Sequence, residues 1–255
     1  MTESETTQQP TSFNVLLIGD SCIDEYNYGV VERISPEAPV PVLRITRTET
    51  KPGMAANVKD NLEALGLDVD FLTGGTRSIK KRFIDERSKQ HILRVDEDKP
   101  NPPFNAWRDS LAYNQYDAIV ISDYDKGFIT YDNVRAVREQ YQGPIFIDSK
   151  KRDLAQFEGC YVKVNELERS LATSTCSNLI TTLGGNGAEF KNVRYPASQV
   201  EVVDVCGAGD TFLAALVKHY LTTKDIIQAI PYAIRASGIS VQHSGNYVPK
   251  LEELT

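Results

Sequence analysis

The feature that most restricts the fold is a recurrence of five short, β-rich apolar runs, each ending in a polar or glycine step. Val15 to Gly19 leads into Asp20 and then Asp24, Ala118 to Ser122 into Asp123, and Ile145 to Ile147 into Asp148. Tyr161 to Val164 leads into Asn165, and Leu179 to Leu183 into Gly184-Gly185-Asn186-Gly187. Apolar runs of this length alternating with helical patterns predict an α/β chain, with mostly parallel strands joined by crossover helices. In open sheets of that kind the ligand crevice lies beyond the carboxyl ends of the strands. Five runs therefore deliver polar residues to one edge. A single Asp or Asn after a strand is an ordinary turn former, so the repetition carries the reading.

Helices are predicted for Ala55 to Leu65, with Val58, Leu62 and Leu65 on one face and Gly66 as its stop, and for Asp210 to Leu221. A third covers about Asp225 to Ser237, where Pro231 marks a kink or the true start. Two segments break the alternation. Tyr26 to Pro52 is rich in proline and alternates at Val42, Arg44, Ile45 and Arg47, which suits an edge strand. Lys80 to Asp96 reads as a ribbon turning near Glu86 to Lys89. Together, residues 26–52 and 80–96 are expected to form a small β lid. A ribbon so short is marginal alone, so it should pair with further strands, its own or another subunit's, and a homodimer through the lid is the expected assembly.

At 255 residues, 41% hydrophobic and 25% charged, the chain is long enough for a sizeable core. Residues 1–12 read as a disordered tail without a secretory signal, and 13–255 as one domain. The net charge of −7 disfavours a nucleic-acid or anionic-membrane surface. No apolar run approaches the ~20 residues of a spanning helix. Cys22, Cys160, Cys176 and Cys206 show no C-x-x-C spacing, which fits reduced thiols and a cytoplasmic location. His91, His219 and His243 are scattered and form no metal motif.

Chemistry concentrates in Val202-Val-Asp-Val-Cys-Gly-Ala-Gly-Asp-Thr-Phe-Leu-Ala-Ala-Leu216. Gly207, Ala208 and Gly209 lie where a helix begins, so unpaired N–H donors and the helix dipole converge on an anion. Asp210, in the first helical turn and expected to be held ionised there, is placed to accept a proton from an attacking hydroxyl. Taken alone, a G-x-G-D stretch is equally a turn with a capping aspartate.

This segment resembles the second signature of the ribokinase-like, or PfkB, family of carbohydrate kinases, and the resemblance runs from Asn14 onward. Gly19-Asp-Ser-Cys-Ile-Asp24 with Tyr26, Arg33-Ile-Ser-Pro-Glu-Ala-Pro-Val-Pro-Val42, Pro52-Gly-Met-Ala-Ala-Asn57, Ser122-Asp-Tyr-Asp-Lys-Gly127 and Ile147-Asp-Ser-Lys150 are similar to one branch. That branch is the D-glycero-β-D-manno-heptose 7-phosphate kinases, the kinase half of bifunctional ADP-heptose synthesis proteins. The resemblance implies a three-layer ribokinase-like sandwich that transfers a phosphoryl group from ATP, with Mg²⁺, to the anomeric hydroxyl of a heptose phosphate.

It further implies that Gly207, Ala208, Gly209 and Asp210 are catalytic, and that Asp20, Asp24, Gly53 and Asn57 hold sugar hydroxyls. Asn165-Glu-Leu-Glu168 and Thr182-Leu-Gly-Gly-Asn-Gly187 resemble its nucleotide motifs, so Asn165, Glu168, Thr182, Gly184 and Gly187 would line the nucleotide, with Glu168 reaching Mg²⁺ through water. Lys126, and Lys81, Arg82 or Arg87 from the lid, are candidates for a substrate phosphate. Four departures stand out. Met54 takes the place of a second glycine and is expected to crowd the sugar floor, and Cys206 replaces Thr or Ser. Leu72-Thr-Gly-Gly-Thr-Arg77 runs almost directly into the lid, so the sheet should be narrower, and the segment after Glu168 is short. Two other readings stay open: a kinase of the same family acting on another sugar, and a weakly catalytic sugar-phosphate binding or regulatory protein. A nucleotidyltransferase half is expected on another protein.

Overall fold

A computed structural model describes residues 12–106 and 112–254; the expected tail lies almost wholly outside them. The chain opens with β1 (Asn14–Gly19), followed by two long strands, β2 (Ser21–Ile34) and β3 (Pro41–Met54), and by α1 (Ala55–Ala64). Next come β4 (Asp68–Thr73), β5 (Ser78–Asp85) and β6 (His91–Glu97). The second half runs β7 (Ala118–Asp123), α2 (Tyr131–Gln140), β8 (Ile145–Ser149), β9 (Tyr161–Asn165), α3 (Glu166–Leu171), β10 (Leu179–Thr182), β11 (Ala188–Phe190) and β12 (Val193–Tyr195). It ends in α4 (Ala208–Thr223) and α5 (Ile226–Ser240).

The main sheet has eight strands in the order β12-β11-β10-β9-β8-β7-β1-β4. The five apolar runs are its β1, β7, β8, β9 and β10, all parallel neighbours, so their carboxyl ends share one edge as the sequence predicted. Their continuous apolar character follows from burial on both faces. Val15 and Leu17 join a core with α1, α4 and α5, while Leu16 and Ile18 join a second core with Val134 and Val137 of α2. The period-2 alternation of a strand thus splits one run between two layers. This is the three-layer ribokinase-like architecture. β4 ends the sheet next to β1, and after four intervening residues the chain enters β5.

The lid is a separate four-stranded sheet, β3-β2-β5-β6. Proline-bearing β3 is its edge, as the prolines require. The sheet begins earlier than expected: β2 starts at Ser21, so Asp20 stays at the core edge while Asp24 rises on a lid strand. The Lys80–Asp96 ribbon finds its partner within the chain, as β5 lies parallel to β2 from Cys22↔Ser78 to Gly29↔Asp85. In α5 the start is set by Asp225, whose side chain accepts from the Ile227 N–H at 2.8 Å, and Pro231 lies inside the helix rather than at its start. Among the described residues no helix is long and apolar enough to cross a membrane.

Candidate active site

Asp210 stands in the first turn of α4, 7% exposed, at the edge where the five strands end. Its carboxylate is held from two sides. Asn57 Nδ2 of α1 donates to Oδ2 at 2.8 Å, and the Tyr124 hydroxyl, in the turn after β7, donates to Oδ1 at 3.0 Å. Burial pushes the carboxyl up to about 6, against the lowering by Asn57, Lys163 and Tyr124. The helix start therefore does not dominate its titration as the sequence suggested; desolvation does. At neutral pH Asp210 is still ionised and close to its titration point, which suits a general base.

The turn before it leaves backbone donors free at a helix start. Gly207 takes φ +76°, a left-handed conformation that favours glycine, and leads straight into α4. The Ala208 N–H already reaches Val205 O at 3.3 Å. That leaves Gly209 and Asp210 as the helix-start donors without a preceding helical carbonyl. Gly209 has a second reason to lack a side chain: a Cβ there would lie 2.8 Å from Lys163 Nζ. Lys163 is 4% exposed and pairs with Asp148 Oδ2 at 2.7 Å, whereas Asp148 Oδ1 is buried without a hydrogen-bond partner. A cavity of about 470 Å³ joins Asp148, Lys163, Asn165, Gly209 and Asp210. Lys163 was not singled out from the sequence, although one charge inside the apolar run Tyr161-Val-Lys-Val164 was the available signal.

The expected nucleotide residues gather beside this cavity. Asn165 and Glu168 form a reciprocal capping box on α3: Asn165 Oδ1 accepts from Glu168 N, and Glu168 Oε2 from Asn165 N, both at 2.8 Å. The other Glu168 oxygen pairs with Lys150. Thr182, Gly184 and Gly187 reach an adjoining cavity of about 200 Å³ walled by Val202, Val205, Phe212 and Ile234. Thr182 Oγ1 donates to Val164 O at 3.3 Å.

The expected sugar residues face one another between core and lid. Asp20 Oδ2 accepts the N–H groups of Tyr124 at 2.9 Å and Lys126 at 3.3 Å, while its Oδ1 is buried without a partner and burial raises its carboxyl above the usual range. Asp24 takes Arg82 Nη1 on Oδ1 at 2.5 Å and Asn246 Nδ2 on Oδ2 at 3.2 Å. Gly53 lacks a side chain for a direct reason, since a Cβ would run into Asp24 Oδ2 and lie 2.6 Å from Cys22 Sγ.

Of the cations proposed for a substrate phosphate, only Arg82 enters the site, and Asp24 engages it. Lys126 is turned to Asp98 at 2.5 Å, Lys81 to Glu97 and Arg87 to Glu32, all on the surface; the local carboxylates of the lid capture them. Met54 is 3% exposed with φ +58°, so its cost falls on the backbone at the lid–α1 junction. Cys206 lies beside Asp204, and burial lifts its thiol to about 11.

Comparison with known proteins bears on this geometry. The model of the pfkB family of carbohydrate kinases matches residues 152–253. The bifunctional protein HldE of Hyphomonas neptunium is 33% identical over 304 residues, covering 94% of this chain and 62% of that protein. HldE of a Nitratiruptor species is 29% identical over 295 residues, covering 94% and 64%. The chain thus spans under two thirds of the length of these relatives. Among solved structures, ribokinase from Thermotoga maritima superposes with a TM-score of 0.69 at 16% identity, covering 95% of this chain and 98% of that one. Phosphofructokinase-2 from Escherichia coli in complex with fructose-6-phosphate gives 0.70 at 14% identity, covering 96% and 97%. Both are likenesses of fold.

Proposed function

We propose that this chain is a carbohydrate kinase of the pfkB family that transfers the γ-phosphoryl group of ATP to a sugar-phosphate hydroxyl, the anomeric one of a heptose 7-phosphate fitting best. The observation that carries the reaction type is the adjacency of a buried, doubly hydrogen-bonded carboxylate near its titration point and a left-handed glycine turn opening a helix. Asp210 accepts the proton of the attacking hydroxyl as the O–P bond forms and the bond to ADP breaks. The N–H groups of Gly209 and Asp210, with Lys163, face the charge that develops on the transferring group. Most of the acceleration comes from positioning: Asn57 and Tyr124 fix the base, and Asp20 Oδ1 offers a free acceptor for a sugar hydroxyl.

The donor fits the paired cavities, with the polar one at the phosphates and the apolar one at the base. Asp148 lines the polar cavity and its buried Oδ1 has no hydrogen-bond partner, so its carboxylate would be a suitable ligand for a largely hydrated Mg²⁺, which Glu168 would reach through water. When bound, Mg²⁺ would neutralise charge on the transferring phosphates. The heptose assignment draws on the HldE relatives and on the I-S-P-E-A-P-V-P-V run. Exposed Ile45, Leu93 and Val95 on the lid support a homodimer through it, and four free thiols fit the cytoplasm. Residues 13–255 act as one kinase domain on this reading.

The test is ADP release with Mg·ATP over hexose and heptose phosphates and their unphosphorylated sugars. Preferred turnover of a heptose 7-phosphate supports the assignment. Turnover of another sugar keeps only the kinase, and ligand binding without turnover leaves a binding protein.

A further inference from the structure

Resting on the sugar-phosphate reading above, we infer that Lys51 and Lys80, the pair flanking Asp24 on the inner face of the lid, form the clamp for the substrate's own phosphate and so select phosphorylated over free sugars. Register places them: Asp24 pairs with Lys51 across β2–β3 and with Lys80 across β2–β5. Residues level with one another on neighbouring strands share a face, so the order across the lid is Lys51, Asp24, Lys80 and then Asp96. Both carboxylates in that row are already engaged, Asp24 by Arg82 at 2.5 Å and Asp96 by Arg94 at 2.8 Å.

The two ammonium groups are half-buried and ion-pair with no described residue; each rests near an aromatic ring. Lys51 Nζ lies 5.7 Å from the centre of the Tyr26 ring, and Lys80 Nζ lies 5.1 Å from that of Tyr124. Lys80 thus stands over the ring whose hydroxyl holds Asp210, and Lys51 over Gly245, 3.4 Å from where a Cβ would be. Strands lie about 4.8 Å apart, which puts the two backbones about 10 Å apart, and flexible four-carbon stems let both heads converge on one anion. The chemistry selected is a phosphate dianion on a polyol. With Arg82 neutralised by Asp24, these two charges are the uncompensated ones on that face. Lys81, Arg87 and Arg94 of the lid already hold carboxylates, those of Glu97, Glu32 and Asp96.

The experiment compares the parent with Lys51→Gln and Lys80→Gln, using Mg·ATP with heptose 7-phosphate, mannose 6-phosphate, heptose and mannose. A lost charged hydrogen bond predicts a rise in KM of about 10- to 100-fold for the phosphorylated sugars, with little change for the free sugars or for ATP. Unchanged KM for the phosphorylated sugars in both variants overturns the clamp while leaving the kinase reading intact. Equal losses on phosphorylated and free sugars also overturn it, since they assign the lysines to the transferring group. A parent that prefers free sugars defeats the sugar-phosphate reading instead. Calorimetric titration with inorganic phosphate then decides the clamp alone: binding lost in the double variant upholds it, and binding that is absent or unaltered overturns it.

Discussion

Asp210 links rate and stability to pH in opposite senses, and the sign can be worked through. Its folded value of about 6 lies above the ordinary 3.8. On the proposed mechanism the base works as a carboxylate, so kcat/KM should fall as protons are added: with a value of about 6, only about 9% is ionised at pH 5, an ~11-fold loss from the plateau. An unperturbed aspartate would lose under ~10% over the same range. Stability runs the other way. Below the ordinary value both folded and unfolded chains are protonated and nothing is lost. Between about pH 3.8 and 6 the unfolded chain releases a proton that the folded one keeps, and above 6 the cost is complete, about 3 kcal/mol for a group only 7% exposed. Asp210→Asn should therefore lower kcat by about 10²–10⁴ while raising stability at pH 7 by up to ~3 kcal/mol, about 6–12 °C in Tm, with almost no gain at pH 4. The measurements are a coupled ADP-release profile from pH 5 to 8 and paired thermal melts at pH 4 and 7. A rate that stays flat to pH 5, or a variant less stable than its parent at pH 7, refutes the assignment of a desolvated base.

Three further substitutions probe the lid and its junction. Gly53→Ala places a Cβ against Asp24 Oδ2 and should raise sugar KM by more than about tenfold while leaving ATP binding intact, read by steady-state kinetics. Arg82→Met strands the buried Asp24 and should cost about 3–5 kcal/mol in urea unfolding, with part recovered by adding Asp24→Asn. Met54→Gly relieves a positive φ worth about 1–3 kcal/mol but gives up a buried side chain of similar value. It should shift stability by no more than about 2 kcal/mol, and a loss above ~4 kcal/mol contradicts strain at this position.

The active edge was legible because each apolar run of the main sheet carries its own polar terminus, so the order of strands did not need to be known. The lid was legible only in part. Prolines at 41 and 52 mark β3 as an edge strand, and that signal is local. The β2–β5 pairing joins residues more than fifty positions apart in parallel, and parallel pairing leaves no turn between the partners to announce it. Asp24 was accordingly read with the core edge, four residues from Asp20, although the chain crosses from core to lid between them.

Within the candidate site, the residues named from sequence are those whose type is unusual for its place: glycines at a helix start, a carboxylate in the first turn, acidic side chains at strand ends. Those missed have ordinary local roles that tertiary structure converts. Tyr124 and Asn246 sit in turns, Lys51 and Lys80 alternate in polar strands, and only the register brings them to one face. The lid and loop cations named for a substrate phosphate are paired at the surface for the converse reason. Lys81, Arg87 and Lys126 were chosen by proximity in sequence to the lid or to Asp123, but each has a carboxylate neighbour to hold it on the surface. A cation in an acidic chain is available to a ligand only where the fold has already spent the nearby carboxylates on something else, as Arg82 does with Asp24. The position of charge along the chain is thus a weak guide to a phosphate site, and the strand register that leaves two lysines uncompensated is the stronger one.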